Sequence, residues 1–327
     1  MAFVIFQKPW SLILGALLFA LAHCSIDYRY RPVNAPDSFE QFFQDQVRIS
    51  KSLPVRPNNE EKLIRFAPRT KYAILAIHGY GASPAGVELT ATHIANKLQA
   101  NTYMMRLPGH GIDDPEAHGR VTAQDYLQMT ETAFQMMHLL GDRIIIVGSS
   151  TGGLLGTWLA AKYPDQVDAL ILGSPFYDWA SSSAVIMKVP GRSCILDVAM
   201  PEYRDASWQD PRKHPDYDSY WLLRQRYDAL LNLEDLRDYI VSGDTFQKVK
   251  APVLLVYYYK NEQEQDDVAS VAAMRDAFAI MGQNKGSLEA PIADANHIIF
   301  SAYVRTDKKA ILGAVDRFLS DLQMRDH

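Results

Sequence analysis

Short apolar runs alternate along the chain with segments whose apolar residues recur at helical spacing. Tyr72–Ile77 is the first such run, and Val87–Leu98 is the first helical segment after it. The later strand-like runs are Thr102–Leu107, Arg143–Val147, Asp168–Leu172, Pro252–Tyr258 and Ser287–Ile292, and the later helical segments are Ala123–Leu140, Gly153–Lys162, Val268–Met281 and Lys308–Gln323. Strands that are apolar at every position are typical of sheets buried on both faces. The order therefore predicts an α/β fold with a mostly parallel, doubly wound sheet.

One segment, residues 175–249, interrupts this alternation. It shows no clear strand, and among its many polar residues are the aromatic residues Trp179, Tyr203, Trp208, Trp221 and Tyr227. We interpret the segment as a helical cap inserted between two strands, which leaves residues 61–174 and 250–327 as the core. The alternative is a set of ordinary surface helices that has no role in substrate entry.

An apolar run near the N terminus, Pro9–Ala22, follows Lys8 and ends at the polar residues His23-Cys24-Ser25. The run is short for a membrane-spanning helix, but it suits the apolar region of an export signal. Residues 1–24 are therefore predicted to be a signal peptide or membrane anchor, which would make the protein exported or membrane-associated. Leu21-Ala22-His23-Cys24 also resembles a bacterial lipobox, whose cysteine is lipidated, although His23 stands where that motif has a small residue.

Two alternatives stay open for this leader: an uncleaved anchor helix, or a buried N-terminal helix of a cytoplasmic protein. The residues that follow, 25–60, are rich in proline, asparagine and charge, and they are predicted to form a linker with one helix around Phe39–Val47. Cys24 and Cys194 are the only cysteines of the sequence, which is too few for a disulfide framework.

Composition and charge exclude some classes of partner. The 327 residues carry a net charge of -5, and they lack the clustered basic field that nucleic-acid binding needs. The histidines are scattered without close metal-ligand spacing, so no metal site is predicted. The sequence leaves the oligomeric state open.

The segment Gly148-Ser149-Ser150-Thr151-Gly152 has the pattern G-x-S-x-G and lies directly between a predicted strand and a predicted helix. In this context the central serine sits on a sharp turn, and the glycines let neighbouring chain pass without a Cβ clash. Ser150 is therefore the candidate nucleophile, unless it only caps the helix. Ser149 is the rival hydroxyl, but glycine flanks it on one side only.

A serine nucleophile needs a base that accepts its proton and an acid that orients the base. His297 lies between the last predicted strand and the last helix and is the candidate base, unless it is an ordinary surface histidine. The acid is expected after the penultimate strand, where the loop Lys260–Asp267 contains several carboxylates. We select Asp266, with Asp267 as a serious rival because the loop is long.

Attack of a serine on a carbonyl creates a negative charge that two backbone N–H groups can stabilise. Thr151, the residue after the candidate nucleophile, would supply one of them. Tyr80, in the turn His78-Gly79-Tyr80-Gly81 after the first strong strand, is the best candidate for the other. His78 itself, and His110 in the turn Pro108–Gly111, are interpreted as structural residues.

These motifs together resemble the α/β-hydrolase superfamily, specifically its branch of monoacylglycerol lipases and serine aminopeptidases. The motifs that occur in the family's order, over roughly residues 70–320, are His78–Gly81, Pro108–Gly111, Gly148–Gly152, the acidic loop near Asp266, and Asn296-His297. The resemblance implies a Ser–Asp–His triad, no cofactor, and hydrolysis of carboxylic esters through an acyl-enzyme. The chain departs from the family at Ser149, where a histidine is common, and in the stretched acidic loop, which puts the identity of the acid in doubt.

The first functional hypothesis is an esterase or lipase that acts on small or monoacyl lipid esters, because aromatic residues of the predicted cap could line an apolar acyl site. A peptidase or amidase is the enzymatic alternative, although nothing in the cap marks a site for a substrate's ammonium group. A non-catalytic binding protein of the same fold is the third possibility, and the complete set of serine, acid and histidine argues against it. Fold analogy alone does not separate these functions.

Overall fold

The computed structural model describes residues 26–32, 38–189, 200–205 and 210–324. The predicted leader with Cys24 therefore lies outside the described residues, as do Cys194 and Trp208. In the part of the chain that is described, no helix is both long enough and apolar enough to cross a membrane.

Strands and helices alternate through the described residues, as the sequence predicts. The strands are β1 Lys62–Ile64, β2 Thr70–Ile77, β3 Asn101–Met105, β4 Gly141–Ser149, β5 Val167–Gly173, β6 Tyr203–Asp205, β7 Arg224–Arg226, β8 Val253–Tyr258 and β9 Leu288–Ile292. The α-helices are α1 Phe39–Lys51, α2 Glu88–Leu98, α3 Ala123–Met136, α4 Thr151–Lys162, α5 Ala229–Val241, α6 Thr245–Lys248, α7 Val271–Met281 and α8 Lys308–Met324.

One sheet of seven strands organises the described chain, with the order β1-β3-β2-β4-β5-β8-β9. Neighbouring strands run parallel, except that β1 is antiparallel to β3 at the edge. The predicted fold class is thus confirmed. The sequence analysis missed β1, because its three partly exposed residues form neither an apolar run nor an alternating pattern.

Helices cover both faces of this sheet. Along β2, Ala73, Leu75 and Ile77 belong to a core that also contains residues of α1, α3, α4, α5 and α7. The intervening Ile74 and Ala76 belong to a second core, together with residues of α2 and α8. Because successive side chains of a strand point to opposite faces, burial of both faces requires an apolar residue at every position.

Helix α1 lies in the predicted linker, where one helix was expected. Ser38 caps it by accepting a hydrogen bond from the N–H of Gln41. Phe39 and Phe42 pack edge-on against Tyr103 of β3, with centroid distances of 5.4 and 5.7 Å. Apolar contacts therefore attach this segment to the core. The domain boundaries inferred from the sequence stay a prediction.

The insertion between β5 and β8 contains short strands as well as helices. β6 and β7 pair as an antiparallel hairpin in which Arg204 lies opposite Gln225, and α5 packs against α3 and α4 of the core. The expectation of a segment without strands was wrong, because strands of three residues are too short to produce a period-2 pattern. Tyr217 and Trp221, also in the insertion, are buried and stack with their rings 4.1 Å apart.

Candidate active site

Ser150 lies at the sharp turn between β4 and α4. Its backbone has a φ of 52° and a ψ of −117°, a conformation that costs a residue with a side chain about 1–3 kcal/mol. A Cβ on Gly152 would lie 2.0 Å from the carbonyl oxygen of Ile77, and one on Gly148 would lie 2.4 Å from the carbonyl oxygen of Gly152. Close backbone contacts therefore require glycine at both positions. The turn is secured by the N–H of Ser150, which donates to the carbonyl oxygen of Gly173 at 2.9 Å.

Three of the predicted site residues meet above this turn. His297, in the loop after β9, has its Nε2 atom 2.9 Å from Oγ of Ser150. On the opposite side of the ring, Nδ1 lies 2.8 Å from Oδ2 and 3.0 Å from Oδ1 of Asp266. A proton on Nδ1 would be donated to the carboxylate, which leaves Nε2 free to accept the proton of the serine hydroxyl. The geometry is that of a nucleophile, a base and an orienting acid.

Asp266 is fixed by its own hydrogen bonds. Its side chain is buried, and Oδ1 also accepts from the N–H groups of Val268 and Ala269, at 3.0 and 2.9 Å. Backbone donors of this kind hold a carboxylate in one orientation, so the imidazole it contacts is held as well.

The extra length of the acidic loop does not displace Asp266 from the sheet. Tyr259 and Gln265 form an antiparallel bridge, so the intervening residues fold back on themselves. The N–H of Asp266 then donates to the carbonyl oxygen of Tyr258, the last residue of β8. The inserted residues are accommodated as a projecting turn, and the acid stays beside the end of its strand.

The two rival residues have different surroundings. Asp267 is exposed, and the helix that follows it is capped by Ser270, whose hydroxyl accepts from the N–H of Ala273. Ser149 is the last residue of β4 and is buried. Within the described residues, neither Asp267 nor Ser149 forms a hydrogen bond with His297.

The two predicted N–H donors border the same cavity as Ser150. Thr151 is the first residue of α4, where a helix carries partial positive charge and its N–H groups have no partner within the helix. Tyr80 follows β2, in the turn where the N–H of Ala82 donates to Gly79. The backbone N–H groups of Tyr80 and Thr151 donate to no acceptor among the described residues, so both are available to a ligand.

A group of buried rings supports the turn that contains Tyr80. The Nε2 atom of His78 accepts from the N–H of Leu107 at 3.0 Å, and its Nδ1 atom donates to the carbonyl oxygen of Gly79 at 2.9 Å. This imidazole therefore ties the turn after β2 to the turn after β3. Burial lowers the pKa of His78 to about 4, so the ring is neutral at pH 7, as a structural histidine should be.

His110 and His118 complete this group. His110 donates from Nδ1 to the carbonyl oxygen of Pro108, and its ring lies 4.1 Å from the ring of His118. His118 in turn lies 4.9 Å from the ring of Tyr80. The sequence analysis did not single out His118, which belongs to no recognisable motif.

A cavity of about 360 Å³ opens above Ser150, within the size range of sites for small molecules. Its walls combine the catalytic candidates with residues of the insertion, which are Phe176, Trp179, Arg204, Asp205, Tyr217, Trp221, Leu222, Gln225, Leu230 and Leu233. Most of this lining is aromatic or aliphatic, so the insertion supplies an apolar wall. Arg204, Asp205 and Gln225 are the polar exceptions, and no local sequence pattern marks any of them. No cluster of side chains suited to a metal ion occurs in the described parts of the chain.

Comparisons with known proteins agree with this architecture. Residues 72–191 match the family model described as the alpha/beta hydrolase fold. The abhydrolase domain-containing protein abhd-5.2 of Caenorhabditis elegans is 33% identical over 134 residues, which cover 38% of this chain. Those residues span 27% of the relative, or about a quarter of its length.

Solved structures extend the similarity to the rest of the sheet. A structure of one of the two metagenome-derived lipolytic enzymes LipS and LipT has a TM-score of 0.66 at 19% identity. The match covers 84% of this chain and 100% of that one. The monoacylglycerol lipase of Paleococcus ferrophilus has a TM-score of 0.57 at 15% identity, covering 81% and 99%. The monoglyceride lipase of Saccharomyces cerevisiae has a TM-score of 0.57 at 12% identity, covering 80% and 90%.

The sheet order, the strand–turn–helix at Ser150 and these matches define the class of protein: the chain has the α/β-hydrolase fold. The resemblance stated from the motifs is thereby confirmed at the level of the fold. At identities below one fifth, the structural matches carry the fold and not the activity.

Proposed function

We propose that this protein is a serine hydrolase that cleaves carboxylic esters through an acyl-enzyme, with monoacyl lipids among its substrates. The single observation that carries the proposal is the continuous contact from Asp266 through His297 to Ser150, with nitrogen–oxygen distances of 2.8 and 2.9 Å. A histidine that only filled space in a loop would not require a buried carboxylate on one nitrogen and a strained serine on the other.

In the proposed acylation step, Nε2 of His297 accepts the proton of Ser150 as Oγ attacks the ester carbonyl. The imidazolium that forms is stabilised by the carboxylate of Asp266, which stays ionised. The carbonyl oxygen becomes negatively charged and accepts hydrogen bonds from the N–H groups of Tyr80 and Thr151.

Collapse of this intermediate breaks the bond to the leaving alcohol, which takes the proton from His297. Water then attacks the acyl group on Ser150 and gives a proton to the same histidine. The histidine passes this proton to Oγ of Ser150 as the bond between Oγ and the acyl group breaks and the carboxylic acid leaves. Every proton transfer uses a group of this chain, so the proposed cycle calls for no cofactor.

The apolar wall of the cavity supports the proposal that the substrates are esters and not the amide bonds of charged peptides. Trp179 and Trp221 offer large apolar surfaces beside Ser150, and burial of an acyl chain against such surfaces contributes about 0.8 kcal/mol per methylene group. We therefore expect activity to rise with acyl length until the cavity is filled. Matched amides should be cleaved poorly.

Labelling with a fluorophosphonate probe, combined with an ester panel graded by acyl length, tests this proposal. Ser150→Ala should abolish labelling and lower kcat by a factor of about 10⁶, because the residues of a triad act as a unit. Ser149→Ala is the matched control and should keep both labelling and most of the activity. Labelling that survives in Ser150→Ala and disappears in Ser149→Ala would contradict the proposal.

A further inference from the structure

Arg204 and Gln225 lie opposite each other in the hairpin of the insertion, and both border the cavity above Ser150. Gln225 is almost fully buried, and Arg204 is partly buried. With its carbonyl oxygen turned toward the guanidinium, the amide of Gln225 accepts from Nε and Nη2 of Arg204. A neutral side chain thus orients the guanidinium without neutralising its charge.

Another arginine of the same hairpin, Arg226, is surrounded by carboxylates. Arg226, the residue after Gln225, forms ion pairs with Glu116, Glu202 and Asp228. Among the described residues, no carboxylate lies within ion-pair distance of Arg204. An arginine stays protonated even when burial opposes its charge, so Arg204 carries a positive charge that no carboxylate of the described residues balances.

Two carboxylates at the margin of the cavity do not neutralise the charge of Arg204. Asp205 and Asp267 also border it, but both are exposed. Asp205 follows Arg204 directly in a strand, where neighbouring side chains project to opposite sides, and it lies opposite Arg224 in the hairpin. Neither aspartate forms an ion pair with Arg204.

We propose that Arg204 binds an anionic group of the substrate, so that the preferred esters carry a carboxylate or a phosphate in addition to the ester bond. This inference rests on the proposed hydrolase function, since it assigns the substrate class of the same cavity. A partly buried cation is costly unless an anion accompanies it. The free edge of a guanidinium also matches the paired oxygens of a carboxylate or phosphate.

The anion could belong to the acyl side or to the alcohol side of the ester, and binding to the Ser150→Ala protein distinguishes the two. For the alcohol side, 1-O-octylglycerol 3-phosphate is compared with 1-O-octylglycerol. For the acyl side, the monoamide of octanedioic acid is compared with octanamide. Calorimetric titration of each pair gives the advantage of the charged ligand over its neutral partner.

At least one charged ligand should bind about 10- to 100-fold more tightly than its neutral partner, the range expected for charge-assisted hydrogen bonds. Arg204→Gln should remove this advantage and leave the neutral ligand within about threefold, a difference of under 1 kcal/mol. Arg224→Gln, at an exposed position of the same hairpin, is the matched control and should keep it. Arg204→Met preserves the apolar stem and replaces the glutamine variant if that variant does not fold.

Equal binding of charged and neutral ligands in both pairs would overturn the inference, and so would an advantage that persists without Arg204. Because these titrations measure binding to a protein without the serine hydroxyl, they are decided independently of turnover. Equal binding of charged and neutral ligands while Arg204 is present, together with intact fluorophosphonate labelling of the wild-type chain, would reject the role of Arg204 alone. Absence of labelling with an intact charge preference would reject the hydrolase proposal and keep the anion site.

Discussion

Replacement of His118 should make the protein less sensitive to acid. Burial lowers the pKa of His118 from its ordinary value of 6.5 to about 3, and the positive charges of His78 and Arg204, when present, act in the same direction. The folded state therefore keeps this ring neutral, while the unfolded chain protonates it near pH 6.5. The associated stability is fully present above that pH and is lost as the pH falls from about 6.5 toward the folded value.

The size of the effect follows from the two pKa values. For an unfolded pKa of 6.5 and a folded pKa of about 3, the contribution of His118 to the free energy of unfolding falls by about 2 kcal/mol between pH 7 and pH 5. Neither ring nitrogen of His118 has a hydrogen-bond partner among the described residues. His118→Phe removes no hydrogen bond, so it should leave the stability at pH 7 unchanged or higher.

Urea unfolding at pH 7 and pH 5 measures this difference. The stability lost between the two conditions should be about 2 kcal/mol smaller in His118→Phe than in the wild-type protein. Tyr126→Phe is the matched control, because it also deletes a buried polar group without a described partner beside His110 but does not titrate in this range. An unchanged acid loss in His118→Phe would refute the reasoning.

Two further pairs of variants test the site and the turn that carries it. Asp266→Asn should lower kcat by about 10⁴-fold with the fold intact, because the amide no longer holds the proper tautomer of His297, whereas the exposed Asp267→Asn should keep both activity and melting temperature. The reverse pattern in steady-state kinetics would move the acid to Asp267. Gly152→Ala should destabilise the protein by about 1–3 kcal/mol or more, because its Cβ would lie 2.0 Å from a backbone oxygen of β2. Gly313→Ala, with no atom nearer than 3.8 Å, should raise stability by about 0.5–1 kcal/mol in thermal melts, and equal melting temperatures for the two glycine variants would contradict this account.

The central strands and the turn at Ser150 were predictable because local sequence determines them. A strand buried on both faces must be apolar throughout, and a strained serine between strand and helix needs the glycines of its pentapeptide. The choice of Asp266 over Asp267 was less secure, since it depends on how the Lys260–Gln265 turn folds back. That folding is set by the bridge between Tyr259 and Gln265, which has no sequence signature of its own.

The polar residues of the insertion were beyond local prediction. Arg204 and Gln225 are 21 positions apart and meet only because two very short strands pair. His118 contacts His110 and Tyr80 through chain segments that the motifs do not connect. The surroundings of these residues are formed by segments distant in the sequence, so their immediate neighbours in the chain do not predict them.

The apolar wall and the single guanidinium place joint demands on any ligand of the cavity. A wholly apolar ester would cover Trp179 and Trp221 but would leave Arg204 without an anion, at the cost of an uncompensated charge. A small, doubly charged ester would pair with Arg204 but would leave the aromatic surfaces in contact with water, which forfeits about 25 cal/mol for each Å². A monoacyl ester with one carboxylate or phosphate meets both demands at once. The proposed reaction at Ser150 and the proposed role of Arg204 therefore converge on amphiphilic anionic esters, a narrower class than the motifs around the serine could define.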